Sequence, residues 1–236
     1  MKQQLSLITL AVAFSGAAWA QEVVKIGHVA PLSGAIAHLG KDNENGARLA
    51  IEELNAKGIS IGGKKVKFEL LAEDDAADPK QGAAAAQKLA DQKVSGVVGH
   101  LNSGTSIPAS KIYSDAGIPQ ISPSATNPKY TRQGYKTTFR VVADDVHLGG
   151  TLGRYAVQKL GAKNIAVIDD RTAYGQGVAD EFQKAAKAAG ASMTTRPRLA
   201  VSALNPLRRC LAALITANFN ASQKAFSTII TLQILQ

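Results

Sequence analysis

Short apolar segments alternate along the chain with longer segments in which apolar residues recur at helical spacing. The segments 94–98 and 118–122 have the length and composition of buried strands. Between 41 and 57 the apolar residues fall at the spacing i, i+3, i+4, i+7, which marks one face of a helix. These residues are Ala47, Ala50, Ile51 and Leu54.

The same pattern predicts strands and helices in the order β-α-β-α-β-α-β, followed by β-α-β-α. The predicted strands are 23–29, 66–71, 94–98, 118–122, 137–141 and 165–168. The predicted helices are 41–57, 79–92, 104–116, a segment around 148–156 and one over 178–189. Such alternation is typical of the α/β class, in which parallel strands form sheets with helices on both faces. Ligands of such sheets bind beyond the carboxyl ends of the strands.

An irregular segment containing Pro and Gly separates the fourth predicted strand from the fifth. Because Pro and Gly interrupt regular structure, this segment is predicted to cross between two lobes. The predicted organisation is a first α/β lobe over 21–122, the crossing over 123–136, a partial second α/β lobe over 137–195 and an aberrant basic tail over 196–236.

Residues 1–20 are typical of a cleavable secretory signal, with Lys2 before an apolar stretch and Ala18-Trp19-Ala20 before the predicted cut. The alternative, a membrane anchor, is disfavoured because the uncharged stretch 5–20 is shorter than the roughly 20 residues that span a bilayer. We therefore expect export to the periplasm with cleavage after Ala20.

The formal net charge of +9 raises the question of nucleic-acid binding. No Asp or Glu follows Glu181, and most of the excess positive charge lies beyond that residue. The segment 21–181 is nearly neutral and shows no basic stripe with aromatic or polar readers. The sequence therefore predicts no nucleic-acid partner.

Two neutral, hydroxyl-rich segments follow successive predicted strands: "GHLNSGTS" at 99–106 and "ISPSATNP" at 121–128. The first also opens a helix, whose free N–H groups attract anions. Since neither segment contains the Lys or Arg usual at a phosphate site, they favour a carboxylate, such as that of an amino acid. For each segment alone, the alternative is that these residues only cap a helix and stabilise turns.

Signals for catalysis, metals and cofactors are missing from the sequence. "EDDAADP" (73–79) lacks the ligand pattern of a calcium loop, and helix capping by Asp78 is the better interpretation. No His pair has a metal spacing, and neither a nucleophile elbow nor a dinucleotide-binding loop occurs. Tyr174 opens a predicted helix, where it can close over a ligand or pack against its own loop. We predict no catalytic residue, metal or cofactor.

At these segments the chain resembles the periplasmic Leu/Ile/Val-binding proteins that serve ABC importers, which have the type I periplasmic binding fold. The resemblance covers roughly 22–195. It rests on "PLSGAIAHLGKDNENGARLAIEELNAKG", "DDAADPKQ", "VVGHLNSGTSIPASKIYSDAGIPQISPSATNP" and "DDRTAYGQG".

The resemblance implies a role for each of five residues. Ser103 and Thr126 would bind the carboxylate of an amino acid, and the carbonyl of Ser124 would accept from its ammonium. Leu39, where relatives often have an aromatic residue, would line the side-chain pocket. Tyr174 would approach from the second lobe as the lobes close. The implied partners are a branched-chain or similar aliphatic amino acid and the membrane permease of an ABC importer, and the protein would be a monomer.

From about residue 195 the sequence departs from the family pattern. The second lobe would be incomplete, and the acid that relatives provide for the ammonium would be missing. A shifted reading frame with a premature stop is one hypothesis, and a genuine alternative C-terminus with a helix near Leu207 to Ile215 is another. Three alternatives for function stay open: a ligand-sensing domain of the same fold, an enzyme on an α/β sheet, and an inactive truncated remnant.

Overall fold

The alternating strands and helices are present in the computed structural model, which describes residues 21–195. The α/β class is thereby confirmed. The predicted signal 1–20 and basic tail 196–236 lie outside the described residues.

Eight strands occur within 21–195, and each strand predicted from the sequence corresponds to one of them. They are β1 (Glu22–Ala30), β2 (Ser60–Ile61), β3 (Lys64–Asp74), β4 (Gly96–Gly99), β5 (Gln120–Ser122), β6 (Thr138–Arg140), β7 (Asn164–Ala166) and β8 (Ser192–Thr195).

Six helices lie between these strands in the same part of the chain. They are α1 (Ala37–Lys57), α2 (Pro79–Asp91), α3 (Ser103–Asp115), α4 (Lys129–Arg132), α5 (Asp145–Gln158) and α6 (Ala173–Ala188).

The elements that sequence reasoning missed are β2, α4 and β8. The strand β2 has 2 residues and the helix α4 has 4, so neither is long enough to show a periodic pattern. The strand β8 reads SMTT, which has little apolar content. Its pairing with β7, rather than its own sequence, identifies it as a strand.

Six strands form one sheet in the order β2-β3-β1-β4-β5-β6. Only β2 runs antiparallel within it; the other pairings are parallel. In the middle of the sheet, Ile26 of β1 lies between Leu70 of β3 and Gly96 of β4. Consequently the carboxyl ends of β1, β3, β4, β5 and β6 meet at one edge.

A separate two-stranded sheet is formed by β7 and β8, which are parallel. The strand β6, which the sequence analysis placed at the start of the second lobe, instead pairs with β5 in the first sheet, with Phe139 opposite Ile121. The break between the two sheets therefore falls after Arg140, a few residues later than the predicted start at 137. The 3-residue sequence of β6 does not specify this pairing, and the predicted division into two lobes stays a prediction.

The core of the first sheet lies under α2 and α3, where Leu89 and Tyr113 are fully buried. Gly27 on β1 leaves room for this packing, because a Cβ there would lie 2.7 Å from a methyl group of Leu89, which would have to shift. A second core joins α6 to β7 through residues such as Phe182 and Ile165, both fully buried.

Helix capping by Asp78 is confirmed. Its carboxylate accepts hydrogen bonds from the N–H groups of Lys80 and Gln81, each at 2.9 Å, and Pro79 is the first residue of α2. Proline is favoured there because its missing N–H would have had no helical partner.

The helices α5 and α6 are in close contact through two glycines of α5, Gly149 and Gly153. A Cβ at Gly149 would lie 2.5 Å from the carbonyl oxygen of Val178, and one at Gly153 would meet the carbonyl oxygen of Phe182. Because backbone atoms cannot rotate away as a side chain can, these glycines set how closely the helices approach.

We expect Gly153→Ala to destabilise the protein by about 1–3 kcal/mol, because the added methyl group collides with the backbone of α6. The matched control is Gly46→Ala in α1, where nothing lies within 4 Å of the added Cβ. That substitution should stabilise the protein by about 0.5–1 kcal/mol through helix propensity. Urea unfolding measures both changes, and equal shifts in the two variants would contradict the packing interpretation.

Candidate ligand-binding site

The two hydroxyl-rich segments meet at the carboxyl edge of the first sheet. The strands β4 and β5 are parallel neighbours, with Val97 opposite Gln120 and Val98 opposite Ile121. The segments 99–106 and 121–128 leave these strands at the same edge, as expected for ligand-binding loops of an α/β sheet.

Ser103 lies where the two segments touch. It is the first residue of α3, it is fully buried, and its Oγ accepts a hydrogen bond from the backbone N–H of Asn127 at 3.3 Å. The start of α3 presents backbone N–H groups that lack partners within the helix, which favours an anion at this end.

Ser124 and Thr126 are half-buried on the second segment. The backbone N–H of Ser124 donates to Ser122 Oγ at 3.3 Å. The carbonyl of Thr126 accepts from the N–H of Asp145 at 2.9 Å, which joins this segment to the start of α5. The structure therefore brings Ser103, Ser124 and Thr126 to one end of the sheet.

Tyr174 lies in the first turn of α6. The helix α6 contacts α3, the helix that begins within the segment 99–106. Thr172 caps α6 by accepting from the N–H of Gly175 at 2.9 Å. The side-chain amide of Asn127 donates to the carbonyl of Ala173 at 2.7 Å, so the residue before Tyr174 is bonded to the hydroxyl-rich segment. Burial raises the pKa of Tyr174, and the charges of Asp145 and Asp170 add to this effect.

Leu39 lies in the first turn of α1, and 37% of its surface is exposed. Because α1 follows β1, which pairs with β4, this turn begins at the same sheet edge as the two segments. Its predicted role in a side-chain pocket stays a prediction.

Asp145 is a polar residue of this region to which sequence reasoning assigned no role. It is fully buried, and neither carboxylate oxygen has a hydrogen-bond partner of ordinary geometry among the described residues. Burial raises its pKa to about 6, although the nearby Thr126 hydroxyl and the charge of Arg140 act in the opposite direction. The adjacent pair Asp144-Asp145 was the available signal, but sequence alone cannot separate a capping acid from a buried one.

Arg140 on β6 holds the backbone of the segment 121–128 through hydrogen bonds. Its Nη1 donates to the carbonyls of Ala125 at 2.9 Å and Asn127 at 3.0 Å, and its guanidinium lies 5.5 Å from the centre of the Tyr130 ring. The segment contains no cation of its own, so this arginine on β6 fixes its backbone. Sequence reasoning missed Arg140 because it lies outside both segments.

A cleft of about 330 Å³ lies between the start of α3 and the start of α6. Gly104, Asn127 and Ala173 contribute to its wall, whereas none of the five predicted site residues does. Across residues 21–195 no group of three or more His, Cys, Asp or Glu residues could hold a metal ion. In the same part of the chain, no helix is both long and apolar enough to cross a bilayer.

Comparison with known proteins assigns the chain to a family. The sequence model of the periplasmic binding proteins matches residues 23–214. The chain belongs to this family. The match continues past residue 195, where the sequence analysis had placed the end of the resemblance.

Curated relatives include a Leu/Ile/Val-binding protein homolog 1 of Brucella abortus, 46% identical over 173 residues, or 73% of this chain and 45% of the relative. The leucine-specific-binding protein of Salmonella typhimurium is 40% identical over 184 residues, or 78% of this chain and 49% of the relative. The chain therefore spans about half the length of these relatives.

Solved structures agree with this assignment. A branched-chain amino acid transporter substrate binding protein of Streptococcus pneumoniae, in complex with isoleucine, is 28% identical with a TM-score of 0.70. The match covers 89% of this chain and 57% of that protein. A leucine binding protein of Thermotoga maritima is 27% identical with a TM-score of 0.69, covering 83% and 54% respectively. The type I periplasmic binding fold is thereby confirmed.

We expect Asp145→Asn to stabilise the protein at pH 8 by about 1–3 kcal/mol. The folded-state pKa of Asp145 is raised from 3.8 to about 6, so ionising this carboxyl costs stability as the pH rises toward and through 6. Asparagine removes that cost. The advantage should fall as the pH drops below 6 and vanish below about 4, where the carboxyl is protonated in both states.

Asp144→Asn is the matched control, because the neighbouring acid has the opposite shift. Burial opposes ionisation of Asp144, but hydrogen bonds from His147 and the charge of Arg132 outweigh it and lower the pKa. Its replacement should therefore destabilise the protein at pH 8 by about 1 kcal/mol. Chemical unfolding between pH 4 and pH 8 measures both effects; a destabilised Asp145→Asn variant at pH 8 would contradict the assignment.

Proposed function

We propose that this protein captures a branched-chain or similar aliphatic amino acid outside the cytoplasm and delivers it to the membrane permease of an ABC importer, without catalysing a reaction. The relatives support the ligand class, since their names specify leucine, isoleucine and valine. The proposal includes residues 1–20 as a signal cleaved after Ala20, and a monomeric protein in the periplasm.

The observation that carries this proposal is the convergence of two neutral, hydroxyl-rich segments at the start of α3. Ser103 and Thr126 provide hydroxyl groups and the start of α3 provides N–H groups, which together suit one carboxylate. The hydrogen bond from Asn127 to Ser103 Oγ shows how closely the segments approach.

The ammonium group of an amino acid requires acceptors, and two are available beside Thr126. We assign the carbonyl of Ser124 as one of them. Asp145 is the second, because its carboxylate has no hydrogen-bond partner of ordinary geometry and is ionised above its pKa of about 6. An ammonium would supply the charge and the donors that this buried group lacks.

Closure over the ligand is assigned to Tyr174 at the start of α6, and Leu39 is assigned to the pocket for the aliphatic side chain. The bond from Asn127 to the carbonyl of Ala173 supports this role of α6, because it already joins the second sheet's helix to the ligand segments. A ligand that contacts both sides would favour the closed arrangement through its better contacts there.

Calorimetric titration of the purified protein with leucine, isoleucine and valine tests the function, after circular dichroism has shown that the chain is folded. We expect saturable binding of these amino acids, and no binding of leucinamide, which lacks the carboxylate. A folded chain that binds none of the three amino acids would overturn the proposal and favour an inactive remnant.

Ser103→Ala should weaken leucine binding by about 10- to 100-fold, because hydrogen bonds to a charged group contribute about 1.5–3 kcal/mol. Ser110→Ala is the matched control on the same helix. Ser110 is equally buried, but its hydroxyl donates to the carbonyl of Ile107 at 2.7 Å within α3. The control should bind leucine as the wild type does, and equal losses in both variants would contradict the role of Ser103.

A further inference from the structure

We propose that Ser122 is a positioning residue, whose hydroxyl group locks the two ligand segments together through the backbone carbonyl of His100. This inference rests on the proposed function, since it concerns how the same site is held ready for its ligand. Ser122 is the last residue of β5, and His100 is the first residue after β4.

The hydroxyl group of Ser122 makes hydrogen bonds in both directions. It donates to the carbonyl of His100 at 2.7 Å, across the gap between the two segments. Its oxygen accepts from the N–H of Ala125 at 2.9 Å and from the N–H of Ser124 at 3.3 Å. Ser122 is fully buried, so water does not compete for these partners. One oxygen atom therefore connects the backbone of 99–106 to that of 121–128.

The carbonyl of His100 is a firm anchor, because its own ring is fixed on both sides. Nδ1 lies 3.0 Å from a carboxylate oxygen of Asp75, and Nε2 lies 3.2 Å from the hydroxyl group of Tyr113. All three side chains are fully buried. With a carboxylate at Nδ1, the proton is assigned to that nitrogen, and Nε2 accepts from the tyrosine. Burial raises the pKa of Tyr113, which keeps this donor protonated.

Two further hydrogen bonds fix the carbonyl of His100 and the carboxylate of Asp75. The same carbonyl of His100 accepts from Ser106 Oγ at 3.1 Å, which attaches it to the first turns of α3. Asp75 accepts through its other oxygen from the N–H of Ala77 at 3.0 Å, which holds the carboxylate in place. The segment after β3 thus supports the segment after β4, which in turn supports the segment after β5.

The placement of Ser122 makes its hydroxyl important for the ligand rather than only for the core. It holds the N–H groups of Ser124 and Ala125, immediately before Thr126. A second hydrogen bond between the segments, from Asn127 to Ser103 Oγ, is longer at 3.3 Å. Without the Ser122 hydroxyl, residues 123–126 would have to be ordered when the ligand binds, and this ordering would reduce affinity.

The test compares three variants of the purified protein. Ser122→Ala removes the hydroxyl, and Ser122→Thr keeps it. Ser110→Ala removes an equally buried hydroxyl that donates to Ile107 within α3 and accepts from the side chain of Gln133, so it bonds to neither ligand segment. Leucine affinity is measured by calorimetry, under conditions where unfolding curves show each variant to be folded. Amide hydrogen exchange of residues 124 and 125 is measured without ligand, as a direct report on the lock.

We expect Ser122→Ala to weaken leucine binding by about tenfold and to accelerate exchange at residues 124 and 125. Ser122→Thr should restore affinity and protection to near wild-type values, and Ser110→Ala should change neither. Affinity that falls equally in Ser122→Ala and Ser110→Ala, or exchange that does not change in Ser122→Ala, would overturn the positioning role.

Failure of the proposed function has a different signature. A folded wild-type protein that does not bind leucine would overturn that function and the positioning of a ligand together, whatever the exchange result. If the wild type binds leucine and Ser122→Ala binds it equally well, only the positioning role is overturned.

Discussion

The parallel pairing of β4 with β5 is the constraint on which the candidate site depends. It brings the carboxyl ends of both strands to one edge, so that segments more than 20 residues apart leave the sheet side by side. Backbone groups at that edge need new partners where the ladder stops. The carbonyl of His100, the first residue beyond β4, finds two of them in the hydroxyl groups of Ser106 and Ser122. The hydroxyl-rich segments thus supply hydrogen-bond partners to the end of the sheet and also form the candidate binding surface.

Buried polar groups at this edge fall into two classes. His100, Asp75 and Tyr113 satisfy one another, so they hold the backbone rigidly at little cost. Asp145 is different, because burial raises its pKa while its oxygens lack ordinary partners. Satisfied networks position a site, whereas an unsatisfied buried charge is a place where a ligand can add favourable interactions. The satisfied network therefore supports the backbone, whereas Asp145 is the group proposed to contact a ligand.

The helix α6, which packs on the second sheet, contacts the candidate site through its first residues. The glycines of α5 let α6 approach closely, and Asn127 bonds to the carbonyl of Ala173 at the near end of that helix. Tyr174 is placed by these contacts. The position of Tyr174 depends on the packing of α6 against α5 and on the side-chain amide of Asn127. Neither contact is visible in the sequence around Tyr174, so that sequence left open whether the tyrosine closes over a ligand or packs against its own loop.

The sequence by itself determined the α/β class, the long strands and helices, the cap at Asp78 and the two hydroxyl-rich segments, because periodicity and turn chemistry are local. It also carried the family resemblance, whose five site residues remain predictions. Only the tertiary structure decided that β6 joins the first sheet, that Arg140 supports the second segment, that Ser122 bonds to His100, and that Asp145 is buried beside Thr126. These depend on pairing and burial between residues distant in the chain, and no local pattern specifies them.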